Sequence, residues 1–139
     1  MLELGISGIL EMCENLRRKA DDDRRDFYTS VIEALNGVIE FADAFSVRAR
    51  EMAERFPEGS EQQINLSEVA DRVAQSPRNP PRTFIEAVQC FFLTHCALHT
   101  SGEVVSIGRL DQLLNPYFEK DISEERHTPA AAQEITDCL

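Results

Sequence analysis

The chain has 139 residues, with 25 acidic side chains against 14 basic ones, a formal net charge of -11 and a pI near 4.6. That length allows one domain or a piece of a larger one, able to bury about 68% of its unfolded surface without disulfide staples. Charged residues at 28% and hydrophobic ones at 42% exclude wholesale disorder and collagen-like repeats. The acidic balance disfavours nucleic acid and anionic membrane surfaces, because the basic run at Arg17–Lys19 passes directly into Asp21–Asp23.

In chain order, Leu2, Ile6, Ile9, Leu10, Cys13 and Leu16 recur at helical spacing and predict a first helix, followed by a solvated turn from Lys19 to Arg25. Asp26 is the candidate N-cap of a long second helix. Its apolar row runs Val31, Leu35, Val38, Ala42, Phe45, Ala49, Met52 and Phe56, and Pro57 and Gly59 stop it. Roughly 30 residues give a rod of about 45 Å. Such a rod pairs as a coiled coil or lies along something larger than this chain. Gly37 within it marks a close packing contact. Ser60–Gln63 reads as a polar loop, and Ile64, Leu66, Val69, Ala70 and Val73 form a short amphipathic helix that ends before Ser76-Pro77.

Asn79-Pro80-Pro81-Arg82 is an extended connector, since each residue before a proline is pushed out of the α region. Thr83 and Glu86 form a capping box in which the hydroxyl accepts from the Glu86 amide and the carboxylate reaches back to the Thr83 amide. This box opens a helix from Phe84 to about His99 that is apolar nearly all round and needs cover on several sides. Glu103–Ile107, rich in β-branched residues and ended by Gly108, predicts one β-strand whose pairing partners lie elsewhere. Leu110, Leu113, Leu114 and Tyr117 predict a helix disturbed at Pro116. Thr128-Pro129 opens a last helix through Ala130, Ala131, Ile135 and Leu139, which stops in mid-pattern without a C-cap.

Cys13, Cys90, Cys96 and Cys138 match neither a redox pair nor a paired zinc pattern, so reduced thiols are expected. The N-terminus lacks the basic region of a signal peptide, and the apolar run Ala87–Leu98 is too short to cross a bilayer. A cytoplasmic address is the expectation, which leaves the sequon at Asn65-Leu66-Ser67 without meaning. His95 and His99, four residues apart, can face one metal ion, but a straight helix cannot wrap Cys90, His95, Cys96 and His99 around a tetrahedral ion. No metal site is expected, and core packing with hydrogen-bonded histidines is the reading. Asp21–Asp23 and Glu124-Glu125 read as solvated surface, and the common catalytic signatures are absent.

One segment stands apart, from Ser101-Gly102-Glu103-Val104-Val105-Ser106-Ile107-Gly108 to Arg109-Leu110-Asp111-Gln112. A strand passing through Ser-x-Gly-Arg straight into a helix sets polar groups at a strand end, where α/β barrels assemble their sites. With Asn79-Pro80-Pro81-Arg82-Thr83-Phe84-Ile85-Glu86-Ala87-Val88-Gln89 upstream and Asn115-Pro116-Tyr117 and Thr128-Pro129 downstream, the chain resembles the pyruvate formate-lyase-like glycyl radical enzymes. The likeness is clearest from Ser76 to Leu139, and the helix core Glu33–Ala42 is also similar.

The resemblance implies a mainly α segment with one strand, cut from a ten-stranded α/β barrel in a much longer, usually dimeric enzyme. Residues 1–139 would be a single partial domain: 1–75 as outer helices, 76–139 as the central helix, the barrel strand and the helices after it. In that family a separate S-adenosylmethionine-dependent iron-sulfur activase generates a glycyl radical near the C-terminus, and a loop cysteine becomes the thiyl radical that attacks substrate. Neither motif occurs here, so this chain carries no cofactor and no catalytic residue of its own. The dehydratase branch contacts substrate through a His-Ser pair after the glycine that aligns with Gly102. Glu103 and Val104 stand there in this sequence, and they join Ser106 as the candidate substrate contacts. The carboxylate in place of a hydroxyl disfavours a glycerol-like diol. Glu86, Arg109 and Asp111 are structural, with Arg109 pairing to Asp111 or Glu86. Partners are the remainder of the enzyme, its activase, or a second copy. The rival reading is a non-catalytic helical interaction module that docks through the Val31–Phe56 face.

Overall fold

Among the described residues six helices follow one another: α1 (Gly5–Lys19), α2 (Asp22–Ala53), α3 (Glu61–Gln75), α4 (Phe84–His99), α5 (Leu110–Ser123) and α6 (Pro129–Asp137). They come from a computed structural model that describes residues 1–100, 102 and 105–138. Among the described residues there is no strand. Val105, Ser106 and Ile107 are neither helical nor paired, while Glu103 and Val104 lie outside the described residues. The expected β-strand is therefore not seen. A strand exists only where a neighbour takes up its amides and carbonyls, and among the described residues no second strand pairs with this segment.

Helix α2 begins at Asp22, not after Asp26, because Asp21 Oδ1 accepts from the Arg24 amide at 3.1 Å. Asp22 and Asp23 in the first turn suit the positive end of the helix, and Arg25 pairs with Asp22 at 2.8 Å. The turn between α1 and α2 thereby shrinks to Ala20 and Asp21. Likewise the expected loop at 60–63 is the first turn of α3: Ser60 Oγ accepts from the Gln63 amide, and Gln63 Oε1 accepts from the Gly59 amide, both at 3.3 Å.

α2 buries Ile32, Ile39, Ala42, Ser46, Ala49 and Ala53, a face rotated from the expected apolar row. Phe45 and Phe56 of that row are 50% and 40% exposed. The small side chains of this face permit a close approach of α3, and Ser46 Oγ donates to the Ala70 carbonyl across the interface at 2.8 Å. Ion pairs Arg50–Asp71 at 2.8 Å and Arg78–Asp43 at 2.6 Å flank this antiparallel contact. Nothing lies within 4 Å of a Cβ built on Gly37, so that glycine marks no packing contact.

α1 starts against the loop that follows α3. The amides of Ile6 and Ser7 donate to the carbonyls of Pro77 and Arg78, each at 2.9 Å, so a distant loop satisfies first-turn donors that would otherwise be orphaned. Gly5 has φ 64°, and a Cβ there would sit 2.6 Å from the Arg78 carbonyl oxygen. Only glycine fits.

α4 joins the two halves of the core. Its first turns place Phe84, Ala87 and Val88 with Leu114 of α5 and Ala132 of α6, and Leu93 packs with Ala42 and Val73 of α2 and α3. Cover on several sides is thus realised, although Phe92 and Leu98 remain 47% and 46% exposed. α5 continues through Pro116, which has no N–H to donate within the helix. It ends where Glu125 takes a left-handed conformation at φ 55°, with the Arg126 amide donating to the Asp121 carbonyl at 2.9 Å and the Glu125 amide to the Ile122 carbonyl at 3.1 Å.

Candidate functional site

A cavity of about 610 Å³ forms a groove between the Met1–Leu4 segment, α4, Val105–Ser106 and α5. Its floor is set by the helical spacing of Cys90, Phe91, Thr94, His95 and Leu98. Tyr117, one turn after Leu113 on α5, closes the far side and donates from its hydroxyl to the Leu2 carbonyl at 2.9 Å. Burial, followed by the nearness of Cys90 and Glu3, pushes the Tyr117 hydroxyl above its ordinary range. Glu3 is the one carboxylate among the described lining residues.

Cys90 is fully buried, and its burial pushes the thiol up to about 11. It is a neutral packing group at physiological pH and no ready nucleophile. Thr94 Oγ1 donates back to the Cys90 carbonyl at 2.8 Å and lies 3.5 Å from Met1 Sδ. His95 and His99 meet through their Nε2 atoms at 2.9 Å, and the Phe91 ring stacks on His95. Among the described residues, no three His, Cys, Asp or Glu side chains converge on one metal position. The groove offers an apolar wall with a few polar groups on its rim.

Of the candidate contacts, Ser106 lines this groove, exposed, with its Oγ accepting from the Gly108 amide at 3.3 Å. Glu103 and Val104 fall outside the described residues. The three structural candidates lie apart from the groove. Arg109 and Asp111 form an exposed bidentate pair at 2.7 and 3.0 Å. Glu86 is buried and takes the Arg82 amide at 2.7 Å and the Arg82 guanidinium at 2.6 Å. The carboxylate thus reaches the amide of Arg82 rather than that of Thr83, while Thr83 Oγ1 accepts from Glu86 as expected. Burial pushes the Glu86 carboxyl up, but the hydrogen bonds from Arg82 outweigh it and hold the group below the ordinary range.

Asp121 escaped the sequence reading. It is 1% exposed, accepts from the Phe84 amide at 2.7 Å and pairs with Arg126 at 3.1 Å, so it ties the end of α5 to the start of α4. The signal was available, since Leu110, Leu114, Tyr117 and Asp121 continue one helical row. A carboxylate at a core position demands partners.

The chain belongs to the pyruvate formate lyase-like proteins, whose family model matches residues 1–139. Among solved structures it is similar to one described by 1,2-propanediol dehydration in Roseburia inulinivorans, with a TM-score of 0.90 and 31% identity over 97% of this chain and 18% of that one. A glycyl radical enzyme from Archaeoglobus fulgidus is similar at a TM-score of 0.87, with 31% identity over the same shares. Among sequences it is similar to the isethionate sulfite-lyase of Nitratidesulfovibrio vulgaris, 31% identical over 91% of this chain and 15% of the relative. The indoleacetate decarboxylase of Tractidigestivibacter scatoligenes is 30% identical over 97% of this chain and 16% of the relative. The chain spans less than a fifth of the length of each. No helix among the described residues is long and apolar enough to cross a membrane.

Proposed function

We propose that this chain is one segment of a cytoplasmic glycyl radical enzyme whose intact form performs lyase, dehydratase or acyl-transfer chemistry on a small metabolite. One observation carries the reading: 97% of the chain superposes at a TM-score of 0.90 on 18% of a protein described by 1,2-propanediol dehydration. Relatives that cleave isethionate or dehydrate sulfopropanediol favour the lyase and dehydratase branch. In this reading α1 to α3 are outer helices, α4 is a central one, and 103–107 becomes a strand of the ten-stranded barrel once its neighbours are supplied. Glu103, Val104 and Ser106 are then the candidate substrate contacts. Arg109, Asp111 and Glu86 hold the backbone on either side.

The radical and its transfer belong to the intact enzyme, with the radical installed by an S-adenosylmethionine-dependent iron-sulfur activase. The glycines present here do not suit radical storage, which needs a sealed environment. Gly37, Gly59, Gly102 and Gly108 are exposed, Gly8 is half-buried within α1, and the one buried glycine, Gly5, is pressed against the Arg78–Asn79 backbone. Cys90 is sealed but sits under the groove floor, and Cys138 is exposed at the end of α6. The chain alone is therefore inactive, and its exposed Phe45, Phe56 and Phe92 favour self-association when the remainder is absent.

The test is the reading frame beyond residue 139 and the protein it encodes. A downstream cysteine loop and a C-terminal Arg-Val-x-Gly segment are expected, and anaerobic treatment with the activase then gives the doublet of a backbone glycyl radical by electron paramagnetic resonance. A stop codon directly after residue 139, together with a monodisperse monomer by light scattering and no dye-accessible apolar surface, would refute the proposal.

A further inference from the structure

His95 and His99 stand one turn apart at the C-terminal end of α4, and their Nε2 atoms lie 2.9 Å from each other. Among the described residues each imidazole has the other as its only hydrogen-bonding partner. The Phe91 ring lies nearly parallel to that of His95, 14° between planes at 5.6 Å, and so sets its rotamer. The two imidazoles themselves cross at 79°. A neutral pair can share one proton at this distance, and the same distance suits a second occupant. Two nitrogens bound to one ion at about 2.0–2.1 Å in adjacent positions near 90° are separated by about 2.9 Å, whereas tetrahedral angles spread them to about 3.3 Å.

We propose that His95 and His99 form an open, two-imidazole site for a divalent late transition ion that accepts adjacent nitrogens near a right angle, the class of Ni²⁺ and Cu²⁺. Two features besides the spacing favour a cation there. The last turn of α4 presents the negative end of the helix dipole, and the chain as a whole carries a net charge of -11. This departs from the sequence expectation of no metal, which considered a closed four-ligand site. Water fills the remaining positions of the open one. His95 also lines the groove, so the ion would sit on its rim. The site needs neither a radical nor the remainder of a larger enzyme.

Isothermal titration of the chain with NiCl₂ tests it. Cys96→Ser and Cys138→Ser are introduced first, because these are the two thiols that are not buried. One Ni²⁺ per chain is expected. His99→Gln, at an exposed position, weakens binding by about tenfold or more, while His127→Gln leaves it unchanged. Thermal unfolding gives a second reading: Ni²⁺ raises the midpoint of the parent and not that of His99→Gln, whose circular dichroism matches the parent's. Equal affinity in His99→Gln, or no binding by the parent lacking Cys96 and Cys138 at millimolar Ni²⁺, would overturn the site.

Discussion

Replacing Asp121 by alanine tests how the second half of the molecule is held. Its carboxylate accepts from the Phe84 amide at 2.7 Å and from Arg126 at 3.1 Å while being 1% exposed. A hydrogen bond to a charged group contributes about 1.5–3 kcal/mol, and deletion leaves the Phe84 amide at the start of α4 without its acceptor. The Arg126 guanidinium is 41% exposed and turns to water when the carboxylate goes, so its pairing adds less than about 1 kcal/mol. The sum is about 2–3 kcal/mol, or roughly 6–12 °C in melting midpoint for a chain this long. Asp121→Asn keeps an acceptor for the amide but loses the charge, and about half the cost is expected. Urea denaturation followed by circular dichroism measures both, with an unchanged slope showing that the native surface is the same. A loss below about 1 kcal/mol for Asp121→Ala at unchanged slope would refute the account of Asp121 as the tie between α5 and α4.

Gly5→Ala should cost about 2 kcal/mol or more, from the left-handed backbone and the 2.6 Å approach of Arg78, while Gly37→Ala on the exposed face of α2 should stabilise by up to about 1 kcal/mol. Opposite signs in the same urea assay are the check. Glu86 titrates below its ordinary range in the folded chain, so its contribution is present above the unfolded carboxylate range near about 4.3 and disappears as pH falls through the lower folded value. Glu86→Gln should therefore lower stability at neutral pH and flatten the acid limb of the melting profile; an unchanged limb would count against the Arg82 pairing. Cys90, buried and pushed up to about 11, should resist iodoacetamide in the folded chain at mildly alkaline pH while Cys138 reacts first, as mass spectrometry of the alkylated peptides would show.

Much of the architecture was legible because helices declare themselves locally. The 3.6-residue period locates α3, the same period with the caps at Thr83 and Thr128 locates α4 and α6, and the motif run from Asn79 to Gln112 carried the family resemblance that the match over residues 1–139 supports. Acidic caps were harder to place. Asp21 and Asp26 are equivalent candidates by chemistry, and only the Arg24 amide above Asp21 distinguishes them. The face of α2 was placed in part, since Ala42 and Ala49 of the expected row are buried, but periodicity weighs large apolar side chains, whereas the close packing of α2 also buries Ser46 and Ala53.

What the sequence determined by itself is therefore the set of helices and the kinship, both written in short-range spacing and residue type. Tertiary structure decided which side of each helix is dry and that Asp121 is a buried tie. It also decided against a strand at Val105–Ile107 among the described residues. The physical reason is common to all of these. A helix satisfies its backbone from residues four positions away, but a strand, a buried carboxylate and a packed face each depend on groups far off in the chain, whose positions no local pattern encodes.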